Sequence, residues 1–158
     1  MLTFEDALRR RAASRVLSQT FVFTNGCFDI LHPGHVALLA HAKRQGHYLL
    51  VGLNSDRSVH ALKGRGRPVQ SEADRAAILA ALTDVDGVFV FDDETPRSVI
   101  EALQPDVLVK GGDYKPEDVV GRETVEAAGG RVDIFPTVAE HSSTRLLSKQ
   151  HAEMTRRV

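Results

Sequence analysis

The 158-residue chain has a single cysteine, no tryptophan and only two tyrosines. One cysteine excludes an internal disulfide framework and fits a reducing, cytoplasmic compartment. No charge of one sign dominates. Twenty Lys and Arg against 21 Asp and Glu leave a net charge of −1, so nothing global points to nucleic acid or to a membrane surface. No apolar run approaches the roughly 18 residues that a bilayer span requires. The opening MLTFEDALRRR lacks the basic-then-apolar order of a secretory leader. No GxGxxG follows the first apolar run, which argues against a redox dinucleotide site. There is no internal repeat and no low-complexity segment. What is present is an ordinary globular composition, 42% hydrophobic, in a chain about one domain long.

The stretch Phe21 to His35, FVFTNGCFDILHPGH, organises the rest. Phe21, Val22 and Phe23 predict a buried strand. Thr24-Asn25-Gly26 breaks it into a loop, and His32-Pro33-Gly34-His35 precedes a helical pattern. A strand that delivers two histidines to a helix N-terminus outlines an anion site. Unpaired backbone N–H groups and the positive end of the helix dipole both favour a phosphate there. Imidazoles that donate hydrogen bonds can follow charge as it grows on a phosphoryl group. A bare HxxH spacing more often marks ordinary loop and helix-start residues, so its surroundings decide. Cys27 lies in the same loop, but phosphoryl transfer needs no enzyme nucleophile.

Residues 4–18 predict a helix capped by Thr3 with Asp6 three positions on. Phe4, Ala7, Leu8, Val16 and Leu17 supply its apolar side, and Arg9-Arg10-Arg11 reads as a solvated face. A strand at 20–24 leads into the histidine loop. A helix over 34–45 follows, with Val36, Leu38, Leu39 and Ala42 as its buried stripe; His41 and His47 read as surface or packing residues. Residues 48–53 are almost continuously apolar, as a parallel strand covered on both faces requires. Asn54-Ser55-Asp56 ends that strand, and Ser55 or Asp56 caps a short helix to about Leu62. Five basic residues (Arg57, Lys63, Arg65, Arg67, Arg75) and two acidic ones (Glu72, Asp74) leave a local excess of +3 here. With Gly64 and Gly66 among them, the segment reads either as a solvated loop or as a mobile arm that closes over phosphates.

Ser71 caps the next helix. Arg75 in its first turn is badly placed for the helix dipole and predicts another partner, a phosphate being one candidate. A strand at 88–91 is followed by Asp92-Asp93-Glu94, either a magnesium site or a partner for the next helix dipole. Thr95-Pro96 starts that helix, which ends near Leu103. A strand at 106–109 runs into Lys110-Gly111-Gly112-Asp113-Tyr114-Lys115. Its two glycines let a ligand approach the backbone, Asp113 offers acceptors, and Tyr114 offers a ring to stack on a base. A helix at 123–128 and a strand at 132–135 follow. Ser142-Ser143-Thr144 then caps a last helix and makes a second anion site. The alternation predicts an α/β fold, a Rossmann-like parallel five-stranded sheet with helices on both faces. One domain is expected over 1–158, with an N-terminal helix in 1–19 and a core over about 20–150. Ligands bind such sheets beyond the C-terminal strand ends, and the segments 24–35, 54–67, 110–115 and 137–144 all fall there.

GCFDILHPGH resembles the GxFDxxHxGH signature of the cytidylyltransferase-like nucleotidyltransferases. Asn54-Ser55-Asp56, Leu62-Lys63-Gly64, Arg67-Pro68-Val69 and above all the run Leu108 to Lys115 resemble the branch that makes ADP-heptose. The resemblance covers about Phe21 to Leu147. It implies AMP transfer from ATP to a heptose 1-phosphate in lipopolysaccharide biosynthesis, with Mg2+ carried mainly on the triphosphate rather than in a protein cage. It implies that His32, His35 and Lys63 are catalytic, and that Lys63 and Arg67 contact the sugar phosphate. It places Thr24, Asn25, Gly26, Cys27, Phe28, Asp29, Gly34, Asn54, Asp56 and Arg75 at the nucleotide and its phosphates. Lys110, Gly111, Gly112, Asp113, Tyr114, Ser142, Ser143 and Thr144 complete that set. The segment 136–141 departs from the family pattern where an arginine and a glycine are usual, and His141 is a candidate replacement. The alternatives are a CTP-dependent enzyme acting on glycerol 3-phosphate, and a nucleotide-binding module without catalysis. A homodimer or larger assembly and a cytoplasmic location are expected.

Overall fold

The computed structural model describes residues 1–112 and 114–136. Helices and strands alternate: α1 (Phe4–Val16), β1 (Phe21–Gly26), α2 (Pro33–Arg44), β2 (Tyr48–Asn54), α3 (Asp56–Lys63), α4 (Glu72–Ala80), β3 (Gly87–Phe91), α5 (Arg97–Leu103), β4 (Val107–Gly111), α6 (Arg122–Ala127) and β5 (Arg131–Phe135). All strand pairs are parallel, in the order β3-β2-β1-β4-β5. The chain winds outward from β1 to β3, then returns to the other side of β1 for β4 and β5. The expected helix after Ser142-Ser143-Thr144 lies outside the described residues.

Alternation along the strands sorts side chains between two cores. On one face Val22, Leu49, Val51, Leu53 and Val109 meet Leu38, Leu39 and Ala42 of α2 and Ala76 and Leu79 of α4. On the other, Phe21, Phe23, Leu50, Phe89 and Leu108 meet Ala7 of α1, Ile100 and Leu103 of α5 and Val125 of α6. β2 is buried along its whole length, which is why its sequence runs apolar without alternation.

The sequence reading of α1 needs two corrections. Thr3 and Asp6 do form the capping box, but the helix stops at Val16, and Val16 and Leu17 are 85% and 60% exposed. The arginine run is not a solvated face. Arg11 is buried and donates to both carboxylate oxygens of Asp106 at 2.8 and 2.7 Å, and to the carbonyls of Leu103 and Gln104. Arg10 lies over the Tyr48 ring at 4.3 Å. Triplet spacing misleads here because a guanidinium on a long stem can reach a carbonyl row that a hydropathy pattern does not register. At α5 the cap is Pro96, without a side-chain bond, rather than Thr95. A short 3-10 turn at Pro116–Asp118 was not expected.

The Arg11–Asp106 pair fastens α1 to the start of the two central strands, since Asp106 also accepts from the Phe21 amide at 2.7 Å. Burial acts to raise the Asp106 pKa, but the bonds from Arg11 and Phe21 outweigh it and hold the carboxyl below its usual range. The pair therefore contributes fully above about pH 4 and loses its contribution as pH falls through the folded-state pKa. Replacing Arg11 with Ala is expected to cost about 2–3 kcal/mol in urea denaturation at pH 7, discounted for the part-exposed carboxylate. The loss should shrink in acid.

Candidate functional site

Winding reverses between β1 and β4, and there the sheet opens. β1 pairs with β2 over six positions, up to Gly26 against Leu53. It pairs with β4 over only three, ending at Thr24 against Val109. Beyond that point Asn25-Gly26 and Lys110-Gly111 separate. A cleft of about 360 Å³ lies at this parting, lined by Asn25, Gly26, Cys27, Phe28, His35, Leu38, Lys63, Lys110, Gly111 and Tyr114. Such a switch point is where open α/β sheets hold ligands.

The histidine loop is shaped by two local constraints. Phe28 sits at φ 42°, a left-handed conformation costly for a bulky residue. Its ring folds back so that a side chain at Gly26 would begin 3.2 Å from it. His32 takes the N-cap position of α2 and Pro33 follows within its first turn, which contains no acidic residue. The two imidazoles stack with centroids 3.7 Å apart, and the Phe28 ring lies 5.0 Å from His35. Burial, then His32 and then Lys63 lower the His35 pKa to about 4, against the backbone of Ile30. His35 is thus neutral at pH 7 and adds no charge to the cleft. Burial likewise pushes the Cys27 thiol up, outweighing Lys63 and Arg75. A thiol kept protonated is a poor nucleophile.

Several residues predicted at the nucleotide instead build the frame around it. Asp29 is 1% exposed. Its Oδ1 accepts from the amides of Val69 and Gln70 at 2.7 and 3.2 Å, and Arg67 Nε lies 2.5 Å from Oδ2. Asp29 and Arg67 therefore turn toward each other and pin the arm after α3 to the histidine loop. Arg75 is also 1% exposed. It donates to the carbonyls of Gln70, Cys27 and Asn54 and to Asp56 Oδ1. Of its two expected roles, phosphate ligand or loop anchor, the second is the one its bonds serve. Asn54 is buried and donates to Ser58 Oγ at 2.9 Å, Asp56 is held by Arg75, and Thr24 is fully buried within β1. None of these three lines the cleft. Val69 and Gln70, whose amides hold Asp29, carry no signal in their side chains, so sequence reasoning missed them.

The β4 end supplies the opposite wall. Gly111 lets the strand approach α2, where a side chain would begin 2.9 Å from Leu38. Gly112, at φ 140°, lies under the half-exposed Tyr114 ring. Lys110 Nζ donates to Asn25 Oδ1 across the parting. Gly34 sits in the first turn of α2. Asp113, Ser142, Ser143, Thr144 and His141 lie outside the described residues. Among the described residues no carboxylate lines the cleft, and no group of His, Cys, Asp and Glu is arranged to hold a metal. Asp92 instead takes bonds from Ser55 and Arg57.

A parallel sheet that opens a cationic cleft at its switch point, against the start of a helix, defines an α/β protein of nucleotidyltransferase-like fold. The chain belongs to the cytidylyltransferase-like family, whose profile matches residues 23–148. It is 54% identical over 94% of its length to the bifunctional protein HldE of Syntrophotalea carbinolica, and 49% identical over 96% to that of Koribacter versatilis. It spans only about a third of those relatives, 32% and 31%. Among solved structures, the lipopolysaccharide core biosynthesis protein from Thermoplasma volcanium superposes with a TM-score of 0.61 at 27% identity, covering 75% of this chain and 96% of that one. A pantoate-beta-alanine ligase from Francisella tularensis shares the fold alone, with a TM-score of 0.61 at 16% identity, covering 90% of this chain and 69% of that one.

Two measurements check this geometry. Asp29→Ala leaves the Val69 and Gln70 amides without their acceptor and Arg67 without its counter-charge, an expected loss of about 2–3 kcal/mol; trypsin should then cut faster after Lys63 or Arg65. The His35 ring, followed by NMR, should stay neutral down to about pH 4. Because the unfolded chain takes up that proton near pH 6.5, this group's contribution is complete above that pH and declines as pH falls toward 4.

Proposed function

We propose that the protein transfers AMP from ATP, bound with magnesium, to D-glycero-D-manno-heptose 1-phosphate, giving ADP-heptose and pyrophosphate. The observation that carries this reading is the cleft itself: His35, Lys63 and Lys110 converge beside the first turn of α2, with no carboxylate among the described lining residues. Such a lining suits a polyanion and repels none. The heptose acceptor rests on the run Leu108 to Lys115 and on the likeness to HldE proteins. Magnesium would arrive on the triphosphate, where it would offset phosphate charge.

The sugar phosphate oxygen attacks the α-phosphorus in line, the bond from that phosphorus to the β-phosphate bridge breaks, and pyrophosphate leaves. The attacking oxygen is already ionised at neutral pH, so no strong base is needed. Position and charge supply the rate. His35 donates to the triphosphate, His32 stacks behind it, and Lys63 brings charge from the end of α3. Phe28 and Tyr114 flank the nucleoside. The reaction is a cytoplasmic one, and a homodimer or larger assembly is expected.

Pyrophosphate release should be measured with magnesium, crossing ATP, CTP and GTP against heptose 1-phosphate and glycerol 3-phosphate. Release confined to ATP with heptose 1-phosphate is the expected result. Release with CTP and glycerol 3-phosphate would move the protein to another branch of the family. ATP binding with no release from either acceptor would favour a binding module. His35→Ala and Lys63→Ala should each lower kcat at least about 100-fold while thermal melts stay close to the parent. Near-normal turnover in either folded variant removes that residue from the mechanism.

A further inference from the structure

The cations near the cleft differ in what neutralises them. Arg67 faces Asp29, and Arg75 faces Asp56. Lys63 stands exposed at the end of α3. Among the described residues no carboxylate pairs with Lys110. The residue as a whole is part-exposed, but its ammonium lies deep in the crevice where β1 and β4 part and donates to the neutral Asn25 carboxamide. An ammonium carries three donors, and among the described residues one carboxamide oxygen is its side-chain partner. Burial alone draws the Lys110 pKa down to about 8. A cation desolvated to that degree is costly until a counter-charge reaches it.

The reaction proposed above must bring two anions together. The triphosphate has the first turn of α2, His35 and Lys63. The acceptor's phosphate monoester carries close to two negative charges at neutral pH, and must approach the α-phosphorus on the side away from the leaving pyrophosphate. Lys110 enters the same cleft from β4, across the parting from the histidine loop. We propose that Lys110, steered by Asn25, is the counter-charge for the acceptor's phosphate monoester, with Asn25 as its positioning residue. This rests on the transferase reading.

A pH signature follows. Among the described residues, the other titratable groups lining the cleft are His35, backed by His32, from α2, Lys63 from α3, Cys27 from the loop and Tyr114 after β4. The acceptor's own second ionisation, near pH 6, is complete before Lys110 titrates. Acceptor KM should therefore rise above about pH 8 as the ammonium deprotonates in the free enzyme. An arginine at that position stays charged, so the rise should vanish in Lys110→Arg.

The test is steady-state kinetics on the full chain, varying each substrate against a saturating partner, with thermal melts of every variant. Lys110→Met is expected to raise acceptor KM about ten-fold or more, the scale for losing a charge-assisted bond, and to leave ATP KM within about two-fold. Lys110→Gln serves if the Met variant does not fold. Asn25→Ala should raise acceptor KM by a smaller factor, again sparing ATP. A rise in ATP KM with acceptor KM unchanged would overturn the assignment, as would an alkaline rise that persists in Lys110→Arg and disappears in Cys27→Ser. If the parent protein releases no pyrophosphate, the transferase reading fails separately. Lys110 is then judged by calorimetric titration of heptose 1-phosphate and glycerol 3-phosphate in the presence of a non-hydrolysable ATP analogue. Binding lost in Lys110→Met supports the proposal; equal binding, or none by the parent protein, overturns it.

Discussion

The site depends on a disagreement in length between two strand pairings. β1 is held to β2 along its whole length, so its path is fixed to Gly26. Its ladder with β4 ends at Thr24 and Val109. Had that pairing continued, the backbone groups of Asn25, Gly26, Lys110 and Gly111 would have satisfied one another and the cleft would be sheet. Instead the last residues of each strand are freed to face a ligand. The separation has to be held, and it is held from outside. Leu38 of α2 packs against Gly111, and Gly112 is tied to the Phe135 carbonyl of β5 at 3.0 Å.

Charge is distributed by the same logic. The two buried arginines satisfy several acceptors each: Arg11 binds Asp106 and two carbonyls, Arg75 binds Asp56 and three carbonyls. These planar forks satisfy several acceptors at once, which suits them to joining segments distant in sequence. Arg75 alone links the histidine loop, the end of β2, the start of α3 and the arm before α4. Lys63 and Lys110 are left at the cleft, each a single charge on a flexible stem.

What the sequence made legible, and what it hid, divides along the range of the forces involved. Period-two and continuous apolar runs at 21–23, 48–53 and 88–91 mark strands because burial acts on every residue of them. Thr3, Ser55 and Ser71 mark helix starts because a cap is a bond across three residues. The cleft was legible in outline because its glycines and histidines sit at strand ends in chain order. The roles of Asp29, Arg67, Asn54 and Asp56 were not, since each is decided by a partner 4 to 41 positions away. A buried carboxylate clasping backbone amides and a carboxylate waiting for a nucleotide look alike in sequence. Arg11 was misread for the same reason, its partner lying 95 positions on.

The electrostatic state of the empty cleft also bears on why the frame is so heavily bonded. His35 is held neutral by burial and by the cations near it, and Lys110 is drawn toward neutrality by burial. Burial makes the charge that Lys110 still carries at pH 7 costly, and the left-handed Phe28 adds backbone cost at the same place. Such a site pulls toward collapse or opening unless the surrounding bonds exceed its cost. The Asp29 and Arg75 networks sit on the loop that carries these groups, which is where that compensation has to be. In the proposed reaction a polyanion would reverse that balance by giving the Lys110 ammonium a counter-charge, and the rigid frame is what would keep that desolvated cation poised at the switch point.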